Sequence, residues 1–299
     1  MSLVIVGSVA FDTIRPPWGD RERIVGGSGT YCSLAASYFT RPRIVGVVGR
    51  DFPRKATAFL RSRGIDLEGL RVKAGKTFHW EGRYGDDPNR RTTLRTELNV
   101  FADFRPEVPA AYRDSRIVYL ANLNPEHHGF VLDQFRKPGL VAMDTIRLWI
   151  DTKRKALMEE LRRVDIFFAN DEEARLITGE ANLISAGKAL LELGPWLVLL
   201  KKGEHGALVF GRKFVFGVLA HPCEHVIDPT GAGDTFAGGF LGYLDGKSRP
   251  RIRDIRRAAV YGSVMASFAI EDFGIDRFLS LERDLVEARF RQFRRLTSF

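Results

Sequence analysis

The chain has 299 residues, 44% of them apolar and 28% charged, with a net charge of +9. This is the composition of a folded, water-compatible protein with ample length for a large core, and it excludes disordered and fibrous classes. No apolar run nears the roughly 20 residues that span a bilayer, and two distant cysteines, Cys32 and Cys223, exclude a disulfide scaffold and suit a reducing cytoplasm.

The first apolar run, residues 3–6, ends at Gly7-Ser8 and has no basic stretch before it, so it reads as a first strand and not as a secretion signal. Gly26-Gly27 then leads into a helix-like stretch of small residues, 28–39. A strand over 44–48 ends at Gly49-Arg50-Asp51, and a helix is expected over 54–63. Residues 77–84 and 92–100 are strand-like and flank a turn-rich stretch, 85–89, so an antiparallel hairpin is expected there. Further strands end at Ala121-Asn122 (117–120), at Asp144 (140–143), at Ala169-Asn170 (164–168) and at Lys201-Lys202-Gly203 (197–200). Helix-like stretches 126–136, 153–163 and 182–193 lie between them. His127-His128 reads as a surface pair at a helix start. His221, Cys223 and His225 alternate, which reads as a packed strand in preference to a zinc site. The basic stretch 283–295 reads as one amphipathic helix with a solvated face.

The strand-like runs are too short for helices, and several are apolar throughout, as strands buried on both faces must be. Their alternation with helices predicts right-handed βαβ units and a mostly parallel sheet covered on both faces. Ligands of such sheets bind beyond the carboxyl ends of the strands, where Asn122, Asp144, Asn170 and Lys201 would gather. One α/β domain over 1–299 is expected, with a small β lid formed mainly by about 74–101 and a contribution from about 12–24.

The chemistry concentrates in Asp228-Pro229-Thr230-Gly231-Ala232-Gly233-Asp234. Gly231, Ala232 and Gly233 offer backbone amides with little bulk at the start of a helix expected over 232–244. Free amides and the macrodipole make that place an anion site. Asp234 falls in the first turn, where a carboxylate can take the proton of an attacking hydroxyl. There is no Gly-x-x-x-x-Gly-Lys-Ser/Thr loop, no dinucleotide fingerprint after the first strand and no nucleic-acid-binding pattern.

This segment resembles the second signature of the ribokinase, or PfkB, family of carbohydrate kinases. Gly26-Gly27-Ser28-Gly29 with the helix behind it is similar to the first signature, Asn170-Asp171-Glu172-Glu173 to the Asn-x-x-Glu element, and 201–206 to the nucleotide loop. The resemblance implies a three-layer α/β/α fold with a β lid and an ATP-dependent kinase acting on a hydroxyl of a small sugar or sugar-like acceptor, with a nucleoside as the alternative. It implies Asp234 as the base and Gly231, Ala232 and Gly233 as the anion hole. Asp12, Gly26, Gly27 and Tyr31 would meet the acceptor, and Asp144 is added as a candidate contact. Lys201, Gly203, Gly206 and Thr230 would meet the nucleotide, and Asn170 and Glu173 would hold Mg2+; the family also admits a monovalent cation near the anion hole.

Three departures bear on the acceptor and nucleotide. Tyr31 stands where many sugar kinases carry Asn, which favours a bulkier or more apolar ligand. Lys201 stands where the loop commonly begins with Thr or Ser; it would pair with phosphate or lie on the surface. The lid holds both aromatic residues (Trp80, Tyr84), suited to a nucleoside base, and arginines (Arg83, Arg90, Arg91, Arg95), suited to a phosphorylated sugar. The partners expected are ATP and a small acceptor, with no membrane, no nucleic acid and a homodimer through the lid as a reasonable guess. The rival from another class is a non-catalytic basic nucleic-acid-binding or regulatory protein on a kinase fold.

Overall fold

The computed structural model of the chain describes residues 2–297. Strand β1 (Leu3–Gly7) is followed by a first hairpin, β2 (Ala10–Arg15) and β3 (Arg21–Gly26), and by helix α1 (Ser28–Ala36). Then come β4 (Arg43–Gly49), α2 (Arg54–Ser62), β5 (Asp66–Lys73) and a second hairpin, β6 (Phe78–Tyr84) and β7 (Arg91–Glu97). The alternation resumes with β8 (Ile117–Ala121), α3 (His128–Leu132), β9 (Leu140–Met143), α4 (Arg147–Thr152), α5 (Arg154–Leu161), β10 (Ile166–Asn170), α6 (Asp171–Thr178), α7 (Leu183–Glu192) and β11 (Leu197–Lys201). The chain closes with β12 (Ala207–Gly211), β13 (Phe214–Val218), α8 (Ala232–Asp245), α9 (Ile252–Ala269), α10 (Asp276–Ser280) and α11 (Arg283–Leu296).

Among the described residues, nine strands form the main sheet in the order β13-β12-β11-β10-β9-β8-β1-β4-β5. It is parallel from β11 to β5, and β12 and β13 pair antiparallel at one edge. Side chains alternate between the two faces, as the period of two demands. Leu3 and Ile5 join the core under α1, α8 and α9, whereas Val4 and Val6 join the core under α3 to α7. The result is three layers, α/β/α. After β1 the chain builds outward to β4 and β5, then returns to build from β8 to β11 on the other side of β1. The β1–β8 boundary is therefore the topological switch point, the place where ligands of open α/β sheets bind. Ser28 Oγ stitches it by donating to the Ala121 carbonyl at 2.9 Å and meeting Ser8 Oγ at 3.0 Å.

Helix α8 lies between α1 and α9 at a distance only small residues permit. A Cβ at Gly238 would land on the backbone carbonyl of Cys32, and one at Gly239 would come 2.9 Å from the Tyr261 carbonyl. The small face of this helix is thus a packing requirement that fixes where its N-terminus points.

A second sheet has the order β3-β2-β6-β7. The expected hairpin forms, Tyr84 opposite Arg91, and β6 also pairs in parallel with β2, Ala10 opposite Phe78. Two local expectations are corrected. The stretch 126–136 is a 3-10 turn (Pro125–His127) leading into the short α3, and His128 is fully buried instead of capping at the surface. Its Nε2 lies 3.1 Å from the Leu123 carbonyl, and burial pushes its pKa down to about 4. Residues 221–225 form no strand, and among the described residues no three His, Cys, Asp or Glu side chains are grouped to hold a metal. The expected amphipathic helix forms as α11, with Val286 and Phe293 buried and Arg283, Arg291 and Arg294 exposed, while Arg289 pairs with Glu271 at 2.6 Å over the Phe268 ring.

Candidate active site

Helix α8 begins at Gly231, whose φ of 75° places it in the left-handed region and lets the chain turn sharply into the helix. A side chain there would strike the ring of Tyr31, so Gly231 is required on both counts. Asp228, fully buried, holds the approach: its carboxylate accepts from the amides of Thr230 at 2.8 Å and Gly274 at 3.1 Å. The turn thereby sets the amides of Gly231, Ala232 and Gly233 at a helix N-terminus with no side-chain cap, the Ala232 amide donating to the Pro229 carbonyl at 3.3 Å.

Asp234 sits in the first turn, half-buried. Burial and then the nearby Asp144 carboxylate raise its pKa to about 7, against the opposing pull of Lys201 and Arg91. A carboxyl group poised near neutrality suits proton transfer in either direction. Lys201, at the end of β11, donates from Nζ to Asp144 Oδ2 at 2.6 Å. A Cβ at Gly233 would lie 3.1 Å from that same Nζ, so the ammonium sits at the mouth of the α8 turn. Burial works against the charged form of Lys201, but Asp144 and Glu173 outweigh it and the pKa moves up.

Asn170 and Glu173 form a reciprocal capping box at the start of α6: each backbone amide donates to the other's side chain at 2.7 Å. Glu173 is buried, which together with Asp144 raises its pKa. Asn170 and Lys201 are direct neighbours in the sheet register. Gly203 and Gly206 both have positive φ in the turn that follows, and the Lys202 amide donates to the Gly206 carbonyl at 2.7 Å.

Asp12 is 4% exposed on β2, and a Cβ at Gly26 would collide with its carboxylate. Its Oδ2 takes a bond from the Tyr31 hydroxyl at 3.4 Å. Burial, then Asp228, raises the Asp12 pKa to about 7. Gly27 caps α1 beside them with φ 94°. Asp144 belongs to a different group. Its neighbours in charge are Lys201, Glu173 and Asp234, and its oxygens are engaged by Lys201, by the Thr145 amide at 2.8 Å and by the Tyr119 hydroxyl at 3.4 Å. The structure thus sets it on the Lys201 side of the cleft and not beside Asp12.

The small sheet reaches the same turn. Tyr84 Oη and Thr230 Oγ1 are 2.9 Å apart, and the Trp18 indole donates to the Ile227 carbonyl at 3.2 Å. The hairpin tip bears on the loop after β11, where a Cβ at Gly203 would land on Asn89 Oδ1. Arg91, opposite Tyr84, lies 5.9 Å over the Trp80 ring and is felt electrostatically at Asp234, Glu173 and Tyr84. In the sequence, Tyr84 and Arg91 stand out only as part of the flap's composition. Their strand pairing was the available signal, because opposite residues of an antiparallel pair share a face.

The three-layer α/β/α fold, the glycine-opened late helix and the small β sheet suit a class that the sequence model over residues 2–280 establishes: the chain belongs to the pfkB family of carbohydrate kinases. It is a phosphotransferase that acts on an alcohol hydroxyl, and no helix among the described residues is long and apolar enough to cross a membrane. Among its relatives, the cytidine kinase of Thermococcus kodakarensis is 32% identical over 83% of this chain and 90% of its own. The nucleoside kinase of Methanothermobacter thermautotrophicus is 28% identical over 83% and 79%. A ribokinase II structure from E. coli in complex with ATP and Mg2+ superposes with a TM-score of 0.81 at 18% identity, covering 97% and 99% of the two chains, and places this chain in the ribokinase-like fold.

Proposed function

We propose that this chain is an ATP-dependent nucleoside kinase with Asp234 as general base. The observation that carries the reading is the Asp234 carboxylate in the first turn of α8, at a helix N-terminus with no side-chain cap and beside the ammonium of Lys201. In this reading Asp234 takes the proton of the acceptor hydroxyl as its oxygen attacks the γ-phosphorus. The bond to the β–γ bridging oxygen breaks, and ADP departs. The amides of Gly231, Ala232 and Gly233 receive the charge that develops on the phosphoryl oxygens. Asp12, supported by Tyr31, and the backbone at Gly26 and Gly27 hold the acceptor's other hydroxyls. Gly203 and Gly206 admit the nucleotide, and Thr230 lies where it meets the flap.

Asn170 and Glu173 fit Mg2+. They offer one buried carboxylate and one amide side chain, which suits an ion that draws its remaining ligands from water and phosphates. Bound there, Mg2+ would neutralise phosphate charge. The small sheet serves as a lid that excludes water from the transfer.

Relatives named cytidine kinase and nucleoside kinase favour a nucleoside over a free sugar. The flap's aromatics add less than its composition promised, because Trp80 is engaged by Thr93 and Arg91 and the Tyr84 hydroxyl by Thr230. The test is a panel of nucleosides, free sugars and sugar phosphates with ATP consumption as readout. Turnover of cytidine or another nucleoside is expected. Turnover confined to sugars overturns the acceptor reading, and no turnover on any acceptor overturns the kinase reading.

A further inference from the structure

We propose that Lys201 is a fixed cation of the phosphoryl-transfer step and that Asp144 is the positioning residue that aims it; this rests on the kinase reading above. The two side chains meet at 2.6 Å with exposures of only 16% and 6%. A buried ion pair is a poor device for stability, since apolar residues of similar volume do as well or better. Its position therefore calls for another reason, and that position is the mouth of the α8 turn, 3.1 Å from where a Gly233 side chain would begin.

An ammonium has three donors. One is committed to Asp144, which leaves two for a ligand. The carboxylates around it, Asp144, Glu173 and Asp234, make the cleft acidic. A polyphosphate entering such a cleft needs cations beyond open amides and one metal ion. Lys201 supplies a charge that is already in place, in register with Asn170 on one side and beside Gly233 on the other.

Asp144 is itself held. The Thr145 amide bonds Oδ1 at 2.8 Å, and the fully buried Tyr119 hydroxyl approaches Oδ2 at 3.4 Å. The chain Tyr119, Asp144, Lys201 is therefore a support that fixes the ammonium before substrate arrives, which is what makes an electrostatic contact effective in the transition state.

The experiment is a double-mutant cycle on the full chain with a nucleoside acceptor. Lys201→Met is expected to lower kcat roughly 100- to 1000-fold with the KM for ATP changed less than about tenfold. Asp144→Asn is expected to lower kcat about tenfold in the native background and to add nothing in the Lys201→Met background. Methylammonium should restore part of the activity of Lys201→Ala, which a purely structural role would not allow. Melting curves confirm that the variants fold; if Lys201→Met does not, Lys201→Gln, uncharged but able to bond Asp144, is read in its place. A kcat within about threefold of native in the Lys201 variant overturns the cation role. An Asp144→Asn effect of equal size in both backgrounds overturns the positioning role. Both results require an active native enzyme, so they are distinct from failure of the kinase reading.

Discussion

Replacing Asp234 by Asn should make the protein more stable while making it nearly inactive. The fold raises this carboxyl from 3.8 to about 7, chiefly through burial and then through Asp144. Three units at about 1.4 kcal/mol each would set an upper bound of about 4 kcal/mol. Because the carboxylate is only half-buried and water screens it, about 1–2 kcal/mol is the realistic cost. With about 2.1 cal/mol/K of unfolding entropy per residue, 299 residues convert this into a rise in Tm of roughly 2–3 °C. The sign follows from the raised pKa. The group's contribution to stability is intact below its unfolded value of 3.8 and is lost as pH rises through about 7. The gain from Asn is therefore complete at pH 8 and smaller at pH 5. Calorimetric melts at the two pH values measure it, alongside a kcat that should fall by roughly 10²–10⁴. A variant that melts lower than the native protein at pH 8 would show that the carboxylate serves the fold, and the base assignment would lose its physical ground.

The same raised pKa predicts that kcat/KM falls about tenfold from pH 8 to pH 6; a profile flat across that interval would contradict it. Glu173→Gln should weaken the apparent Mg2+ requirement curve by roughly 10- to 100-fold while ATP still binds, read from initial rates against Mg2+ concentration; an unchanged curve removes Glu173 from the metal. Tyr84→Phe, which deletes the 2.9 Å contact to Thr230, should raise the acceptor KM by several-fold, about one neutral hydrogen bond's worth, with Tm nearly unchanged.

The main sheet was legible because its strands are nearly continuous apolar runs, each ending in a small or polar residue; β1, β8, β9 and β11 fall close to where the pattern puts them. The α8 turn was legible because glycine spacing is local chemistry. What escaped depended on contacts distant in sequence. The pairing of β2 with β6 joins residues 10 and 78, and nothing local to either strand specifies it. Asp144 and Lys201 are 57 residues apart and meet only because β9 and β11 flank β10; read singly, one suggests an acceptor contact and the other a nucleotide contact or a surface lysine, and neither suggests the pair. His128 was misjudged because polarity argued for the surface, whereas the Leu123 carbonyl gives its Nε2 a partner inside.

Trp18 and Tyr84 come from different hairpins of the small sheet, yet they fasten on the same four-residue stretch, Ile227 and Thr230 at its ends. Departure of the flap would release the stem of the α8 turn from two anchors at once. On the kinase reading proposed above, an uncovered enzyme would then hold the amides of that turn loosely, and ATP arriving alone would find the site poorly assembled for giving its phosphate to water.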